Sequence, residues 1–273
     1  MYKGFYGLRE KPFSKTPDPR FLFLGKGHEE ALARLLYAVE ERELALLTGG
    51  IGSGKTTISR ALMDSVGEEY RFCVIFNPIL TPLEFLRLLA ADLGIPSPPS
   101  TKDALLRALT GEMYRCHSEG IVPVVIIDEA HMIPGREVFD EIRLLTNFQL
   151  DDGNLLSVIL MGQPELRERL ADPGYEALCQ RIGMQYHILP LNLEETLEYI
   201  DFRLTVAGGG AGLFSPDAVL RIFELSGGVP RRINTIATAA LLEGFSRDAT
   251  LIDVTVIDGL RSEFDMRAAG AGS

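Results

Sequence analysis

Residues 49–56 read Gly-Gly-Ile-Gly-Ser-Gly-Lys-Thr, four glycines crowded ahead of one lysine and one threonine. Glycine gives up more backbone freedom on folding than any other residue, so such a cluster weakens both helix and strand. It is useful where the backbone itself must close around something that a Cβ would block. Successive N–H groups curled without side chains make an anion cradle, and a helix starting just beyond adds its positive end. The spacing G-x-x-x-x-G-K-[ST] is that of a phosphate-binding loop. Lys55 would reach the β- and γ-phosphates and the Thr56 hydroxyl would hold Mg²⁺. Gly49, Gly50, Ile51, Gly52, Ser53, Gly54, Lys55, Thr56 and Thr57 are the expected contacts to the nucleotide.

A second constellation completes the first. The run Val-Val-Ile-Ile-Asp-Glu-Ala-His ends an apolar stretch with two adjacent carboxylates, Asp128 and Glu129. In open parallel sheets, ligands gather at the carboxyl ends of strands. Asp128 is then the Mg²⁺ partner, directly or through water, and Glu129 is placed to orient and deprotonate an attacking water. Together the two motifs predict a protein that binds and hydrolyses a nucleoside triphosphate. The base-reading NKxD tetrad of GTPases is absent from the sequence, which favours ATP.

These residues need elements to carry them. Apolar runs at 43–48, 72–77, 122–129 and 155–162 read as strands, alternating with helical patterns at about 29–42, 56–66, 81–93, 102–118 and 136–149. Continuous apolar strands alternating with helices predict an α/β fold, a parallel sheet covered on both faces. A turn is expected at Asp-Asp-Gly-Asn, 151–154. After His-Ile-Leu-Pro-Leu (187–191) the strands stop, and helices at about 193–207, 215–226, 230–245 and 254–264 follow, with Ala-Gly-Gly-Gly-Ala-Gly as a joint. The expected division is an N-terminal arm over 1–27, a nucleotide-binding core over 28–191, an all-helical lid over 192–265 and a frayed tail over 266–273. The arm is rich in Phe, Pro and Gly, too aromatic for a disordered segment.

Composition narrows the classes further. Hydrophobic residues make up 46% and charged residues 24%, enough for a proper core. Acids outnumber bases 38 to 27, giving a net charge of -11 that repels nucleic acid and anionic membrane at long range. Cys73, Cys116 and Cys179 are widely spaced, odd in number and form no metal-like cluster, so reduced, buried thiols are expected. No apolar run approaches the ~18–20 residues that span a bilayer, and the first residues lack the apolar centre of a signal peptide. A cytoplasmic protein is expected, either free or held at the inner face of the membrane by a partner.

The sequence resembles the ExeA-type (general secretion pathway protein A) AAA+ ATPases, which are related to the TniB, TnsC and MuB transposition ATPases. The match is carried by FYGLREKPFSKTPDPRFLFL, GGIGSGKTT, VVIIDEAH, LMGQPELRERL, QRI and GGVPRRIN, spread over about residues 2–260. The resemblance implies a P-loop core with a small C-terminal helical lid, and site roles by matched position. Gln163 resembles sensor 1. Asn77 would hydrogen-bond Glu129 and hold it inactive, or else simply form the turn before Pro78. Arg231, following Pro230 at a helix start, fits sensor 2, with Arg232 beside it in a surface or supporting role. Arg181 matches the arginine finger given to a neighbouring subunit's ATP, with Arg167 and Arg169 as weaker candidates. Phe21 to Leu24 and His28 would wall the adenine or pack as core.

Three functions remain open at this stage. One is an ATPase of envelope secretion or export machinery, working as a ring or filament of identical subunits with an envelope protein partner. Relatives of that kind often carry a membrane helix and a peptidoglycan-binding module after the ATPase; this sequence has neither, and is either a stand-alone ATPase or a fragment. The second is a DNA-binding regulator of transposition. Residues 191–265 carry 12 acids and 6 bases, which offers little to phosphate, although a basic strip could be drawn from Arg34, Lys102, Arg136 and Arg143. The third is a slow, ATP-gated switch that signals by oligomerising.

Overall fold

The computed structural model describes residues 2–14, 18–150, 153–260 and 264. The expected tail over 266–273 lies outside the described residues, as do Asp151 and Asp152 of the expected turn. The first half runs α1 (Tyr2–Phe5), α2 (Lys26–Glu40), β1 (Leu44–Gly49), α3 (Lys55–Ser65), β2 (Tyr70–Ile75), α4 (Pro82–Asp92), α5 (Lys102–Ser118) and β3 (Val122–Ile127). Then follow α6 (Glu137–Leu145), β4 (Gln149–Leu150), β5 (Gly153–Asn154), β6 (Ser157–Gly162), α7 (Pro164–Leu170), α8 (Glu176–Cys179) and β7 (Ile182–Ile188). Four further helices follow among the described residues: α9 (Leu193–Val206), α10 (Pro216–Ser226), α11 (Pro230–Ser246) and α12 (Val254–Gly259). The described residues form two compact units. One is His28–Ile51 with Lys55–Ile188; the other joins the residues before His28, Gly52–Gly54 and those from Leu189 onward.

The first unit is an α/β layer structure. Its sheet has the order β2-β3-β6-β1-β7 with every pairing parallel. Because side chains alternate across a strand, Leu44 and Leu46 enter one apolar cluster while Ala45 and Leu47 enter the other. In the same way Val125 and Ile127 face α4, α5 and α6, and Val124 and Ile126 face α2 and α3. Strands buried on both faces have no polar side to alternate with, which is why these segments are continuous apolar runs. The helices start where their sequences direct. Thr81 and Glu84 close a reciprocal capping box at α4, and Pro82 occupies the first turn.

Several boundaries differ from the sequence-based expectation, and three of them have a clear local reason. The strand expected over 122–129 stops at Ile127: the Asp128 N–H still donates to the Ile75 carbonyl, but Glu129 then turns left-handed (φ 52°) and ends the pairing. The helix expected to 149 stops at Leu145, where the short antiparallel pair β4–β5 takes over. The last strand begins at Ile182, well before the expected 187. It is an edge strand, and its exposed Gly183 and Gln185 and half-buried His187 interrupt the apolar run that betrays a central strand.

The second unit is helical. Asn192 and Glu195 form a capping box at α9, Ser215 caps α10, and Gly227 ends α10 in the left-handed conformation. The residues of the N-terminal arm are part of this unit's core. Leu8, Phe13 and Phe21 are buried with Ile200, Leu204, Ile222, Ile236 and Leu241. Phe23 packs edge-on against Tyr199. Of the two readings of Phe21, packing is the one observed.

Arg203 on α9 ties the arm down. Its guanidinium donates to the carbonyls of Pro12 (2.6 Å), Ser14 (3.2 Å) and Phe21 (3.5 Å) and lies 4.8 Å from the Phe21 ring centroid. Only 8% of the residue is exposed, and burial lowers its pKa from the ordinary arginine value. A buried charge is tolerated when such bonds satisfy it, and removing it strands the carbonyls. Arg203→Met is expected to cost about 2–4 kcal/mol in urea unfolding. Arg203→Lys should recover only part, because an ammonium cannot fork to several carbonyls while lying on a ring. An unchanged unfolding midpoint for Arg203→Met would refute this role for the guanidinium.

Candidate functional site

Parallel register brings the expected residues to one edge of the sheet. Thr48 pairs with Gly162, and Ile127 pairs with both Ile75 and Leu160. The loop after β1, the acids after β3, Asn77 after β2 and Gln163 after β6 therefore leave the sheet on the same side. Gly52 and Gly54 have φ of 79° and 100°, a region L-residues avoid. At Gly52 there is a second reason for glycine. Within the helical unit the Arg231 N–H donates to the Gly52 carbonyl at 3.5 Å, and a Cβ on Gly52 would lie 2.6 Å from that of Arg231.

Lys55 opens α3 and is 6% exposed, with Nζ donating to the carbonyls of Gly49 (2.7 Å) and Gly50 (3.2 Å). The next residue meets the acid: Thr56 Oγ1 donates to Asp128 Oδ2 at 3.0 Å. The other oxygen of Asp128 accepts from the Glu129 N–H at 2.9 Å. Ile51, Thr56 and Thr57 are exposed, and Ser53 is buried. A hydroxyl and a carboxylate held together at the start of a helix, beside a buried ammonium, are a hard-oxygen donor pair next to an anion cradle. These residues fit Mg²⁺ and a nucleoside triphosphate.

Glu129 has a left-handed backbone, φ 52° and ψ 35°, at the start of the turn Ala130–Met132. That conformation costs a residue with a Cβ roughly 1–2 kcal/mol, and such strain collects at functional sites. His131, one turn on, was missed as a site residue by sequence reasoning, although it stands in the same Asp-Glu-Ala-His run. Its Nδ1 is 3.4 Å from Glu129 Oε2 and 3.4 Å from the Gln163 backbone nitrogen, and its Nε2 is 3.0 Å from the Gln163 amide nitrogen.

The remaining candidates divide. Asn77 is exposed, and its Oδ1 accepts from the Ile79 N–H at 3.4 Å, the turn-forming role. Arg181 lies just before β7, whose first residue pairs with Leu44 at the start of β1. It is thus at the opposite edge of the sheet from the glycine loop, exposed, with Nη2 donating to Asn147 Oδ1 at 2.8 Å. Arg169 is committed to structure: it donates to the carbonyls of Ile133 and Gly135 and to the Tyr175 hydroxyl, and stacks on Phe139. Arg167 is exposed on α7. Arg232 donates to the Leu225 carbonyl, whereas Arg231 is exposed at the first turn of α11. Each base of the supposed basic strip faces an acid: Arg34 with Glu30, Lys102 with Glu141, and Arg136 and Arg143 both with Asp140. Burial pushes the Cys73 thiol up to about 12 and raises those of Cys116 and Cys179, so none is a ready thiolate.

A family model described as an AAA domain matches residues 39–170. The fold is that of an AAA+ ATPase. Over 96% of its length the chain is 40% identical to General secretion pathway protein A of Aeromonas hydrophila. The chain spans about half the length of that relative, 50%. The resemblance to ExeA-type proteins therefore extends well beyond the AAA+ domain match. Among solved structures, Cdc6p of Pyrobaculum aerophilum superposes with a TM-score of 0.64 at 17% identity, covering 87% of this chain and 68% of that one. The ORC2 protein of Aeropyrum pernix, solved as ADPNP–ADP complexes, gives 0.64 at 17% identity over 94% of this chain and 72% of its own. At such identities these structures speak for the AAA+ fold alone.

The strain at Glu129 is open to test. Glu129→Gly relieves it at the cost of added freedom in the unfolded chain, so a net gain of about 0.5–1 kcal/mol is expected in urea unfolding. Glu129→Gln keeps the same backbone and is expected within about 0.5 kcal/mol of the parent. A loss of stability in Glu129→Gly would show that the conformation is not strained.

Proposed function

We propose that the chain binds Mg-ATP at the glycine loop and hydrolyses it where two copies meet. The observation that carries this reading is the hydrogen bond between Thr56 Oγ1 and Asp128 Oδ2, with the buried Lys55 ammonium at the neighbouring position. When bound, Mg-ATP supplies the phosphoanhydride to be cleaved and a cation that spreads its charge. Backbone N–H groups of Gly50 to Thr57 and Lys55 hold the phosphates, and Thr56 and Asp128 take the cation. Glu129 orients a water and accepts its proton; Gln163 fixes the γ-phosphate side of the site. Arg231 acts as sensor 2 from a lid over 192–265. Asn77 is proposed as a weaker contributor, since its side chain is engaged in its own turn.

Arg181 is the proposed finger. What supports this reading is that Arg181 is exposed and lies at the far end of the sheet from its own loop; to serve a neighbour's site it would exchange its bond to Asn147 for the phosphate. Hydrolysis then requires a ring or filament of identical subunits. The relative's name, General secretion pathway protein A, favours assembly or regulation of an envelope secretion machine through a protein partner. No helix among the described residues is long and apolar enough to cross a membrane; a place at the inner face of the membrane, held there by that partner, is part of the same reading. The rival, a DNA-binding regulator of transposition, is weakened by the carboxylate opposite each candidate base.

The test is ATPase rate per protomer against protein concentration, with and without duplex DNA. A steep rise with concentration alone is expected, and stimulation only by DNA would favour the rival. Lys55→Ala should lose ATP binding, whereas Glu129→Gln should bind ATP and accumulate as an oligomer with turnover reduced at least ~10²-fold. Arg181→Ala should lose ~10³-fold or more with ATP affinity retained. Mixing Arg181→Ala with Glu129→Gln should restore turnover, because each supplies what the other lacks. Wild-type turnover in Lys55→Ala or Glu129→Gln would refute the site, and failure of the mixture would refute the finger.

A further inference from the structure

The imidazole of His131 stands between the two groups proposed to handle water and γ-phosphate. Its side chain is 16% exposed, and Glu129 Oε2, which faces it, is shielded from solvent. The placement is built into the backbone. The Met132 N–H donates to the Glu129 carbonyl at 2.8 Å, which closes the turn that carries the ring. Opposite it, a Cβ on Gly162 would lie 3.3 Å from the backbone nitrogen of His131 and 2.7 Å from Leu166 Cδ2, so glycine lets β6 and this turn approach.

Nδ1 has neighbours of opposite demand, the Glu129 carboxylate and the Gln163 N–H, while Nε2 has the Gln163 amide. A neutral imidazole carries one proton, donating at one nitrogen and accepting at the other. If the Gln163 amide nitrogen donates to Nε2, the proton is on Nδ1 and binds Glu129. If the amide turns its oxygen to the ring, the proton is on Nε2, Nδ1 accepts from the Gln163 N–H, and Glu129 is released. The ring gains and loses one proton between these arrangements, so its charge does not change.

We propose that His131 is a positioning residue through which the orientation of the Gln163 amide sets the hold on the Glu129 carboxylate. This rests on the reading of Glu129 as base and Gln163 as sensor. Gln163 then governs Glu129 without touching it, and the coupling lies within one subunit.

The unloaded protein tests this by ¹⁵N resonances of its histidine rings, with His131 assigned from the spectrum of His131→Asn. Gln163→Ala and Glu129→Gln are each expected to shift the His131 nitrogens while leaving those of His117 unmoved; unmoved His131 resonances in both would overturn the proposal. In turnover, His131→Ala should lower kcat about 10- to 100-fold, the usual scale for a group that orients a site residue, with ATP affinity held within about twofold. His131→Asn should recover part of the rate, because its amide reaches Glu129 from the place of Nδ1. The double variant His131→Ala/Gln163→Ala should be no slower than the slower single variant. Wild-type kcat in His131→Ala, an equal fall in kcat and ATP affinity, or additive losses would each overturn it. If Glu129→Gln turns over like the parent, the site reading fails and this inference with it; if Glu129→Gln is inactive and His131→Ala is not, this inference fails alone.

Discussion

A parallel sheet buried on both faces leaves polar groups only one place to act, the edge where its strands end. Side chains within β1, β3 and β6 are committed alternately to the two apolar layers, and none of those positions can host a charge cheaply. Parallel pairing then brings Gly50, Asp128 and Gln163 out on the same side, because β1, β3 and β6 stop within three residues of one another in register. The chemistry of the site is thus a consequence of hydrogen-bond register. A one-residue slip in β3 would send Asp128 away from Thr56 and exchange the apolar faces as well.

The site is also where the unit spends stability. Glu129 sits in a left-handed backbone, two glycines of the loop adopt positive φ, and the Lys55 ammonium is buried against carbonyl oxygens. The first and the last would be unfavourable alone, and glycine alone makes the second cheap. They persist because the apolar layers over-determine the strands from which they hang, so the loops have little freedom to relax. In the helical unit a comparable burden falls on Arg203, whose desolvated charge is offset by carbonyls of the arm and by the Phe21 ring. There the gain is order in a segment with little regular structure of its own.

Charge limits how this protein can meet others. With a net charge of -11, copies repel at long range, a force screened beyond about 10 Å at moderate salt. Association between copies therefore depends on short-range contacts. The bases examined as a nucleic-acid strip face Glu30, Glu141 and Asp140, which removes most of their use to a phosphate backbone.

The glycine loop, its lysine and threonine, the acid pair after a buried strand, and the α/β class were legible from residue order, because each is a local pattern with a local cause. Apolar runs mark strands covered on both faces, and glycines mark backbone that a Cβ would obstruct. Folding alone decided the start of β7, since an edge strand does not show the unbroken apolar run of a central one. It also decided that Phe21 is core, that Arg169 is structural while Arg181 is exposed, and that His131 stands between Glu129 and Gln163. Most of those facts depend on residues that meet across long stretches of chain, and the sequence states only what each residue is able to do when it meets a partner.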